Sequence, residues 1–470
     1  MRRDPFEFRD NKIMTCNNDE KTILSKDLLH HYKKHNVPDI ESYLKSNPGE
    51  LQTSSSRFIR LNPRYDQSET LILLQNELNG AVPIKIPWLD DSLCFYSVPG
   101  NYSLKSSPLF TSGRIYGMDV SSGAAVQALL FLDVDGKSQM DDFAASDNFR
   151  VLDLCCAPGL KTCAIADILE QCQEATKMEI VGVDVNPSRL HLCKNIIKKY
   201  HIDTDTSGRS INDAYNLSIS LFCADGTTFG TRASLRKNVD SLTFESTVAR
   251  EETMIAGKRK RMNKSAKSRE RKRLRTLGKD MFHTTYLPNT NESSELCSGS
   301  SFNGNHDDEI VITKFDRVLV DAECSTDGAV RHLQEKVGKG QFSETKDCQI
   351  TNTKLTNSKQ LDDLVDLQKR LIMSGFRLLK PGGIMVYSTC SLAREQNEDV
   401  VKWLLDECEN RCDLLPVNFE CAKNGVDEKN DSMISPGFDN IGARFHPSIG
   451  NGNMIYGGGF FLAKLKKLVL

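Results

Sequence analysis

Long apolar runs are missing from this chain of 470 residues, of which 39% are hydrophobic. No stretch approaches the roughly 20 apolar residues that a helix needs to cross a bilayer. We therefore expect no membrane association. The opening segment MRRDPFEFRDNKIM contains three acidic residues and lacks an apolar core. It therefore reads as neither a secretory signal nor a transit peptide.

Paired cysteine motifs are also missing, although the chain contains 15 cysteines. Their odd number and irregular spacing, with no CxxC pair, predict reduced thiols rather than a disulfide framework. Cys408 and Cys412 are close in sequence, but no second pair or histidine cluster accompanies them. We therefore predict no metal site. Most of the cysteines are expected to be small core residues.

An excess of charge of one sign is missing from the chain as a whole, whose formal net charge is −2. Basic residues are instead concentrated in KRKRMNKSAKSRERKRLR, residues 258–275, which holds eleven basic residues and one glutamate. Such a run could bind a nucleic-acid backbone, act as a nuclear localisation signal, or form a solvated helix without a partner. We predict a nuclear or nucleolar protein, with the cytoplasm as the alternative.

Strand-like and helix-like segments alternate through the centre of the chain. Helical patterns are predicted up to residue 168, at 189–200 and at 364–380, and apolar strands at 151–155, 179–185, 218–225, 315–322 and 382–389. This alternation predicts an α/β fold with a doubly wound, mainly parallel sheet. Ligands are expected beyond the carboxyl ends of the strands.

Two domains are predicted. Residues 1–112 form a small α+β domain, with helices at 21–35 and 39–47 and strands at 56–64 and 82–88. Residues 113–470 form the larger domain, which opens with a helix capped by Ser121 or Ser122.

Two polar segments interrupt the larger domain. The first, residues 230–312, is rich in serine, threonine, asparagine and charge and includes the basic run. We predict that it is a long, largely disordered insertion. A second polar insertion is predicted at residues 337–360.

Acidic residues follow three successive predicted strands. The first strand leads into DLCCAPGLKT, residues 153–162, whose spacing matches neither GxGxxG nor the Walker pattern. Asp184 ends the second strand, where a carboxylate can hold two ribose hydroxyls, and Asp225 ends the third, where it could reach an adenine. Together these acids favour S-adenosylmethionine, which presents a ribose and an amino acid but no phosphate. Singly, each is more often a solvated loop carboxylate.

Two later strands end in polar loops that each carry a cysteine. Cys324 lies in DAECSTDG and Cys390 in STCSLAREQNEDVV. Carbon 5 of cytosine is too electron-poor to attack a methyl sulfonium until a thiolate adds to carbon 6, and a second polar group beside that thiolate can assist product release. The spacing leaves open which thiol attacks, and for each the alternative is a buried small residue.

The motifs DLCCAPGLKT, VGVDVNPSR, FCADGTTF, DAECSTDG and STCSLAREQNEDVV, in this order, resemble the Sun (Fmu) family of RNA cytosine-5 methyltransferases. The resemblance extends from about residue 113 to the carboxyl terminus. It implies a Rossmann-like class I methyltransferase fold, preceded by a domain with an RNA-recognition-like fold. It also implies S-adenosylmethionine as cofactor and RNA as substrate, with tRNA the first expectation and rRNA the alternative. We expect a monomer.

The resemblance also implies roles for individual residues. It assigns nucleophilic attack to Cys390, product release to Cys324, and binding of the cytosine edge to Asp321. Cofactor contacts are implied for Cys156, Ala157, Pro158, Gly159, Lys161, Asp184, Arg189, Asp225 and Asp321.

Two positions depart from the family pattern. Glu323 stands where the family usually has proline, and we expect its charge to oppose thiolate formation. Leu160 stands where the family has a second glycine, and we expect it to alter the cofactor turn. Both departures bear on rate and substrate choice more than on the reaction. They are the main support for an alternative function, a catalytically idle RNA-binding factor of the same fold, against which the retained cysteines and acids argue. Methylation of a small molecule or protein is disfavoured, because oxygen and nitrogen acceptors need no covalent adduct.

Overall fold

The computed structural model describes residues 56–131, 148–171, 177–201, 217–231, 240–244, 312–326, 328, 358–417, 419, 434–445 and 459–469. The predicted helices at 21–35 and 39–47, the basic run 258–275, and residues 337–357 of the second predicted insertion lie outside these ranges. Within the described ranges, no helix is long and apolar enough to span a membrane.

The first part of the described chain forms a four-stranded antiparallel sheet with the order β2-β3-β1-β4. Its core includes Ile59, Leu61 and Leu74. The elements are β1 (Ser56–Leu61), α1 (Gln67–Glu77), β2 (Ile84–Lys85), β3 (Phe95–Pro99), α2 (Pro108–Thr111) and β4 (Ile115–Tyr116).

The rest of the described chain builds a ten-stranded sheet with helices packed on it. It begins with α3 (Val120–Leu130), β5 (Phe149–Asp153), α4 (Leu160–Gln171), β6 (Met178–Asp184), α5 (Pro187–His201), β7 (Leu217–Cys223) and β8 (Asp240–Phe244). It continues with β9 (Phe315–Asp321), α6 (Ser358–Leu378), β10 (Leu379–Thr389), α7 (Glu398–Cys408), β11 (Cys412–Leu415), β12 (Ile434–Pro436), β13 (Ala443–Phe445) and β14 (Phe460–Lys467).

The strand order of the large sheet, β12-β13-β14-β10-β9-β5-β6-β7-β8, with β11 beside β14, confirms the predicted doubly wound architecture. Its centre, from β10 through β9, β5 and β6 to β7, is parallel. Every residue of β5 and β6 is buried, as expected for parallel strands covered on both faces. The chain reverses direction across the sheet between β5 and β9, so a crevice opens beyond their carboxyl ends.

Three local predictions differ from the structure. The cap of α3 is Asp119, whose side chain accepts a hydrogen bond from the Ser121 backbone nitrogen (3.0 Å), and neither Ser121 nor Ser122 is the cap. The strand predicted at 82–88 contracts to two residues, Ile84 and Lys85. Helix α6 begins at Ser358, inside the predicted second insertion. The prediction missed this start because the first turn of the helix is polar and carries no apolar periodicity.

The first predicted insertion contains an element that its composition did not indicate. Strand β8 pairs antiparallel with β7, with Leu221 opposite Leu242. A short segment in a polar stretch becomes a strand here because β7 offers an unpaired edge, so strand formation depends on the neighbouring strand rather than on local propensity. Residues 245–311 of this insertion lie outside the described ranges.

A buried ionic cluster joins the two sheets. Arg60 of β1 forms an ion pair with Asp167 of α4, and both side chains are fully buried. The Tyr116 hydroxyl donates to Asp167 (2.9 Å), and Arg64 adds a second guanidinium contact (3.3 Å). Burial opposes the charge of Arg60, but the Asp167 carboxylate outweighs it and raises the Arg60 pKa. The small sheet is therefore locked to α4, which begins beside the crevice.

Replacing Asp167 with alanine should leave Arg60 as an uncompensated buried charge. We expect the free energy of unfolding, measured by urea titration, to fall by about 3–5 kcal/mol. The matched control is Asp91→Ala, which breaks the exposed Lys85–Asp91 pair and should cost at most about 1 kcal/mol. Equal losses for the two variants would contradict the locking role.

Candidate active site

A cavity of about 700 Å³ opens at the carboxyl ends of the central parallel strands. Its wall combines the turn after β5, the ends of β6 and β7, the two cysteine loops after β9 and β10, and the start of α3. Nine residues expected from the sequence to form the site line it: Ala157, Pro158, Lys161, Asp184, Arg189, Asp225, Asp321, Cys324 and Cys390.

Two expected residues, Cys156 and Gly159, are absent from the cavity lining and pack behind it. Gly159 has a φ of +104°, and a Cβ there would lie 2.6 Å from the Cys193 sulfur on α5. A hydrogen bond to Cys193, together with burial, raises the pKa of the Cys156 thiol. Both residues therefore contact Cys193 and pack the turn after β5 closely against α5.

Asp153 ends β5 directly beneath this turn and is 1% exposed. Its Oδ2 accepts a hydrogen bond from the Thr162 hydroxyl (2.7 Å), and its Oδ1 has no hydrogen-bond partner in the described part of the chain. Burial raises the pKa of Asp153 to about 7, with the Thr162 bond opposing the shift and the Asp321 carboxylate adding to it. A buried acceptor is thus available beside the turn.

Asp184 and Asp225 are held in defined orientations at the ends of β6 and β7. Asp184 accepts from the Asn186 backbone nitrogen (2.9 Å) and lies 3.7 Å from an Arg189 guanidinium nitrogen. Arg189 also donates to the Ala157 carbonyl (2.7 Å), which ties α5 to the turn after β5. The carboxylate of Asp225 accepts from the backbone and hydroxyl of the residue two positions later (2.9 and 2.7 Å).

Lys161 and Asp321 form an ion pair between α4 and the end of β9. The Lys161 ammonium lies 2.7 Å from one Asp321 oxygen, and the Ser388 hydroxyl donates to the other (2.8 Å). Burial opposes the charge of Lys161, but Asp321 outweighs it and raises the Lys161 pKa. The lysine is therefore cationic at neutral pH, and its field also reaches Cys390.

The two loop cysteines meet in the cavity, with their sulfur atoms 3.0 Å apart. Cys324 is 4% exposed, whereas Cys390 is half-buried. Their strands are adjacent and parallel, with Ser388 opposite Asp321. Both sulfurs are free thiols, and the 3.0 Å separation exceeds a disulfide bond of about 2.05 Å.

A third thiol, Cys155, also lines the cavity. Its pKa is raised by burial, and the Asp321 and Asp153 carboxylates add to the shift. Cys155 is therefore neutral at physiological pH and cannot serve as a nucleophilic thiolate there.

The two departures from the family pattern occupy different places. The Glu323 side chain is exposed at the cavity wall, while its backbone carbonyl accepts a hydrogen bond from Gln368 (2.8 Å). Leu160 begins α4 and packs half-buried against the core. The effect of Glu323 on thiolate formation stays a prediction.

The polar residues that hold the cysteine loops were not identified from the sequence as site residues. Gln368, Gln396 and Asn397 are fully buried and reach both loops. Gln368 lies in the predicted helix 364–380, where a polar residue is also typical of the surface, and Gln396 and Asn397 lie in the motif STCSLAREQNEDVV, in which no role was assigned to them. No group of three or more potential metal ligands occurs within the described ranges.

The strand order of the large sheet and the position of the cavity at its carboxyl edge are those of a class I methyltransferase fold. A solved structure described as NSun6 from Pyrococcus horikoshii with SFG superimposes with a TM-score of 0.51 at 15% identity. That alignment covers 96% of this chain and 100% of the other. At this identity the likeness shows the fold.

Residues 291–466, less than half of the chain, match the model of the 16S rRNA methyltransferase RsmB/F family, so this segment is similar to part of a methyltransferase domain of the RsmB/F (Sun) type. The chain is similar to ribosomal RNA small subunit methyltransferase F of Pectobacterium atrosepticum, with 30% identity over 155 residues, 33% of this chain and 25% of that protein. The Klebsiella pneumoniae protein of the same name is 32% identical over 155 residues, 33% of this chain and 26% of that protein. The matched segment thus spans about a quarter of the length of these curated relatives.

Replacing Gly159 with alanine should destabilise the turn twice over, through its positive φ and through the clash with Cys193. The matched control is Gly80→Ala, which has a φ of +90° but no atom within 4 Å of the new Cβ. We expect backbone strain of about 1–3 kcal/mol in each variant, with an additional loss of unfolding free energy only in Gly159→Ala. Equal losses would show that the Cys193 contact is unimportant.

Asp153 should make stability depend on pH. Its pKa is raised in the folded protein from 3.8 to about 7, so the folded state binds more protons than the unfolded state across this range and loses stability as the pH rises. Asp153→Asn removes this slope. Its free energy of unfolding, relative to wild type, should therefore increase between about pH 4 and pH 7 and then level off.

A second variant tests the same assignment. Thr162→Val removes the hydrogen bond that lowers the Asp153 pKa, so the pH window should extend upward. Urea titrations at pH 5, 7 and 8 measure both effects. A pH-independent difference between Asp153→Asn and wild type would contradict the raised pKa.

Proposed function

We propose that this protein is an S-adenosylmethionine-dependent RNA cytosine-5 methyltransferase that acts through a covalent Cys390 adduct. The observation that carries the proposal is the pair of thiols 3.0 Å apart beside the Lys161–Asp321 ion pair. Carbon methylation of cytosine requires a thiolate nucleophile, whereas oxygen and nitrogen acceptors do not. The RsmB/F-type match over residues 291–466 supports the same chemistry.

The crevice has the carboxylate acceptors that suit the hydroxyl and amino groups of S-adenosylmethionine. Asp184 is held at the end of β6, where a carboxylate can bind ribose hydroxyls, and Asp225 lies at the end of the next strand. Asp153 lies behind the cavity lining at the end of β5, and its buried Oδ1 has no hydrogen-bond partner within the described ranges. When bound, the cofactor supplies an electrophilic methyl group on a sulfonium.

The roles of the two cysteines follow from their surroundings. Cys390 is the more exposed thiol and is therefore the one that a base entering the cavity can reach, and it interacts electrostatically with the Lys161 ammonium. It adds to carbon 6 of cytosine, while Asp321 accepts from the exocyclic amino group of the base and, in its protonated form, donates to N3 as the adduct develops. After methylation a base takes the carbon 5 proton, the C5–C6 double bond reforms as the bond between sulfur and carbon 6 breaks, and Cys390 leaves as a thiolate, with Cys324 assisting this release.

The substrate that we propose is ribosomal RNA. The sequence alone favoured tRNA, but the relatives that match are named as ribosomal RNA small subunit methyltransferases. A cytosine in a stacked helix cannot reach a thiol in a crevice, so the target base must be flipped out or lie in a loop. The nuclear or nucleolar address stays a prediction, because the basic run lies outside the described residues.

Methyl transfer from labelled S-adenosylmethionine into separated rRNA and tRNA fractions tests this function. Wild type should label cytosine carbon 5, Cys390→Ala should lose at least about 1,000-fold in rate, and Cys324→Ala should accumulate a covalent protein–RNA adduct. Cys94→Ala, in the small sheet, is the matched control and should keep wild-type activity.

The fraction that takes up the label decides between rRNA and tRNA. If neither fraction is labelled although the cofactor binds, the catalytically idle RNA-binding factor becomes the better account. In that event Glu323→Pro would be the first variant tested for restored activity.

A further inference from the structure

The loop that carries Cys324 is held on both sides of the cysteine by buried glutamines. The Glu323 carbonyl, before it, accepts a hydrogen bond from Gln368 of α6 (2.8 Å). The Ser325 backbone nitrogen, after it, donates to Oε1 of Gln396 (3.0 Å), and the Nε2 of the same amide donates to the Ser325 hydroxyl (2.9 Å).

The loop that carries Cys390 is held by Asn397, the residue directly after Gln396. Asn397 accepts from the Thr389 hydroxyl (2.6 Å) and donates to the Ser391 carbonyl (2.9 Å). The two loops also meet directly, where the Ser325 hydroxyl donates to the Ser391 hydroxyl (3.0 Å). Gln396 and Asn397 thus connect the surroundings of both thiols.

Gln396 is the centre of this network. It is fully buried, and its carbonyl oxygen accepts from the Tyr387 hydroxyl (2.7 Å), which fixes its backbone to β10. Its side chain accepts from Ser325 and Gln368 while donating to Ser325. An amide can donate and accept at once, whereas an ionised carboxylate only accepts and an alkyl group does neither.

The strands alone do not set the distance between the thiols. The register of β9 and β10 is defined as far as Ser388 and Asp321, but Cys324 lies three residues beyond Asp321 in irregular backbone. Loops of this kind keep one geometry only where buried hydrogen bonds restrain them. The network around Gln396 supplies such restraints on the chain directly after Cys324.

We propose that Gln396 is a positioning residue: it ties the Cys324 loop to the end of β10, from which the Cys390 loop leaves, and so restrains the distance between the two thiols alongside the backbone bond from Gly328 to Cys390 (2.9 Å). Its effect on catalysis rests on the proposed function. Its effect on geometry does not, because the separation of two thiols can be measured without RNA.

Oxidative cross-linking measures this separation. Hydrogen peroxide converts the two thiols into one disulfide and two water molecules, and peptide mass spectrometry quantifies the Cys324–Cys390 link over time. We expect Gln396→Ala to slow this reaction by about tenfold or more relative to wild type, because a displacement of about 1 Å has effects of this size. Gln127→Ala should match wild type.

Gln127 is a matched control because it is also a buried glutamine with two hydrogen bonds to backbone. It accepts from the Asp90 nitrogen (2.7 Å) and donates to the Trp88 carbonyl (3.3 Å). Alkylation of the fully buried Cys163 and Cys193 is the internal control, and it should be equally slow in wild type and Gln396→Ala.

Methyl-transfer kinetics give the catalytic readout. Gln396→Ala should lower kcat by roughly 10- to 100-fold and leave the KM for RNA within about twofold, because the substitution changes the geometry of the reacting thiols. Gln396→Glu keeps the size and shape of the side chain, so it tests the positioning role if the alanine variant does not fold. Its carboxylate cannot donate to Ser325, so cross-linking should again slow, and its charge should shift the pH profile of kcat upward.

Cross-linking at the wild-type rate in both Gln396 variants would overturn the proposal. Faster alkylation of Cys163 and Cys193 in Gln396→Glu would overturn it as well, since Gln396 would then be a general stabilising residue. If wild type methylates no RNA but the cross-linking difference persists, the proposed function fails and the positioning role stands.

Discussion

The parallel pairing of β9 with β10 is the constraint on which the rest of the site depends. It places Ser388 beside Asp321, so that a hydroxyl and a lysine ammonium share one carboxylate at the floor of the cavity. The loops that leave these two strand ends carry the two thiols. A slip of one residue in this register would turn every side chain of β10 to the opposite face, separating Ser388 from Asp321 and Cys390 from Cys324.

Charge and burial together determine which groups around the floor of the cavity are ionised. Lys161 is cationic because Asp321 outweighs the cost of burying it, and its field reaches the more exposed of the two thiols. Cys155 lines the same cavity, but burial is the main influence on its pKa and keeps its thiol neutral. Burial therefore sets Cys155 apart as a neutral thiol, whereas Cys390 is the cavity thiol that interacts with the Lys161 ammonium.

Much of the fold could be predicted from the sequence because it follows from local pattern. Strands β5, β6, β7, β9 and β10 lie within three residues of their predicted starts and ends, since buried parallel strands are short apolar runs bounded by polar turns. Strand β8 and the first turn of α6 could not be predicted, because both lie in polar segments whose structure depends on neighbouring strands and helices. The cap of α3 was misassigned because Asp119 and the two serines after it are all common capping residues, and only the backbone geometry distinguishes them.

The sequence by itself determined the order of the strands along the chain, the acids at their ends, and the two cysteine motifs, because each of these is encoded in a few consecutive residues. Only the tertiary structure decided the 3.0 Å separation of the thiols, the bridge from Gln396 to Ser325 and the ion pair between Arg60 and Asp167. These contacts join residues 66, 71 and 107 positions apart. They depend on strand register and on which polar groups are buried together, and no local pattern records either.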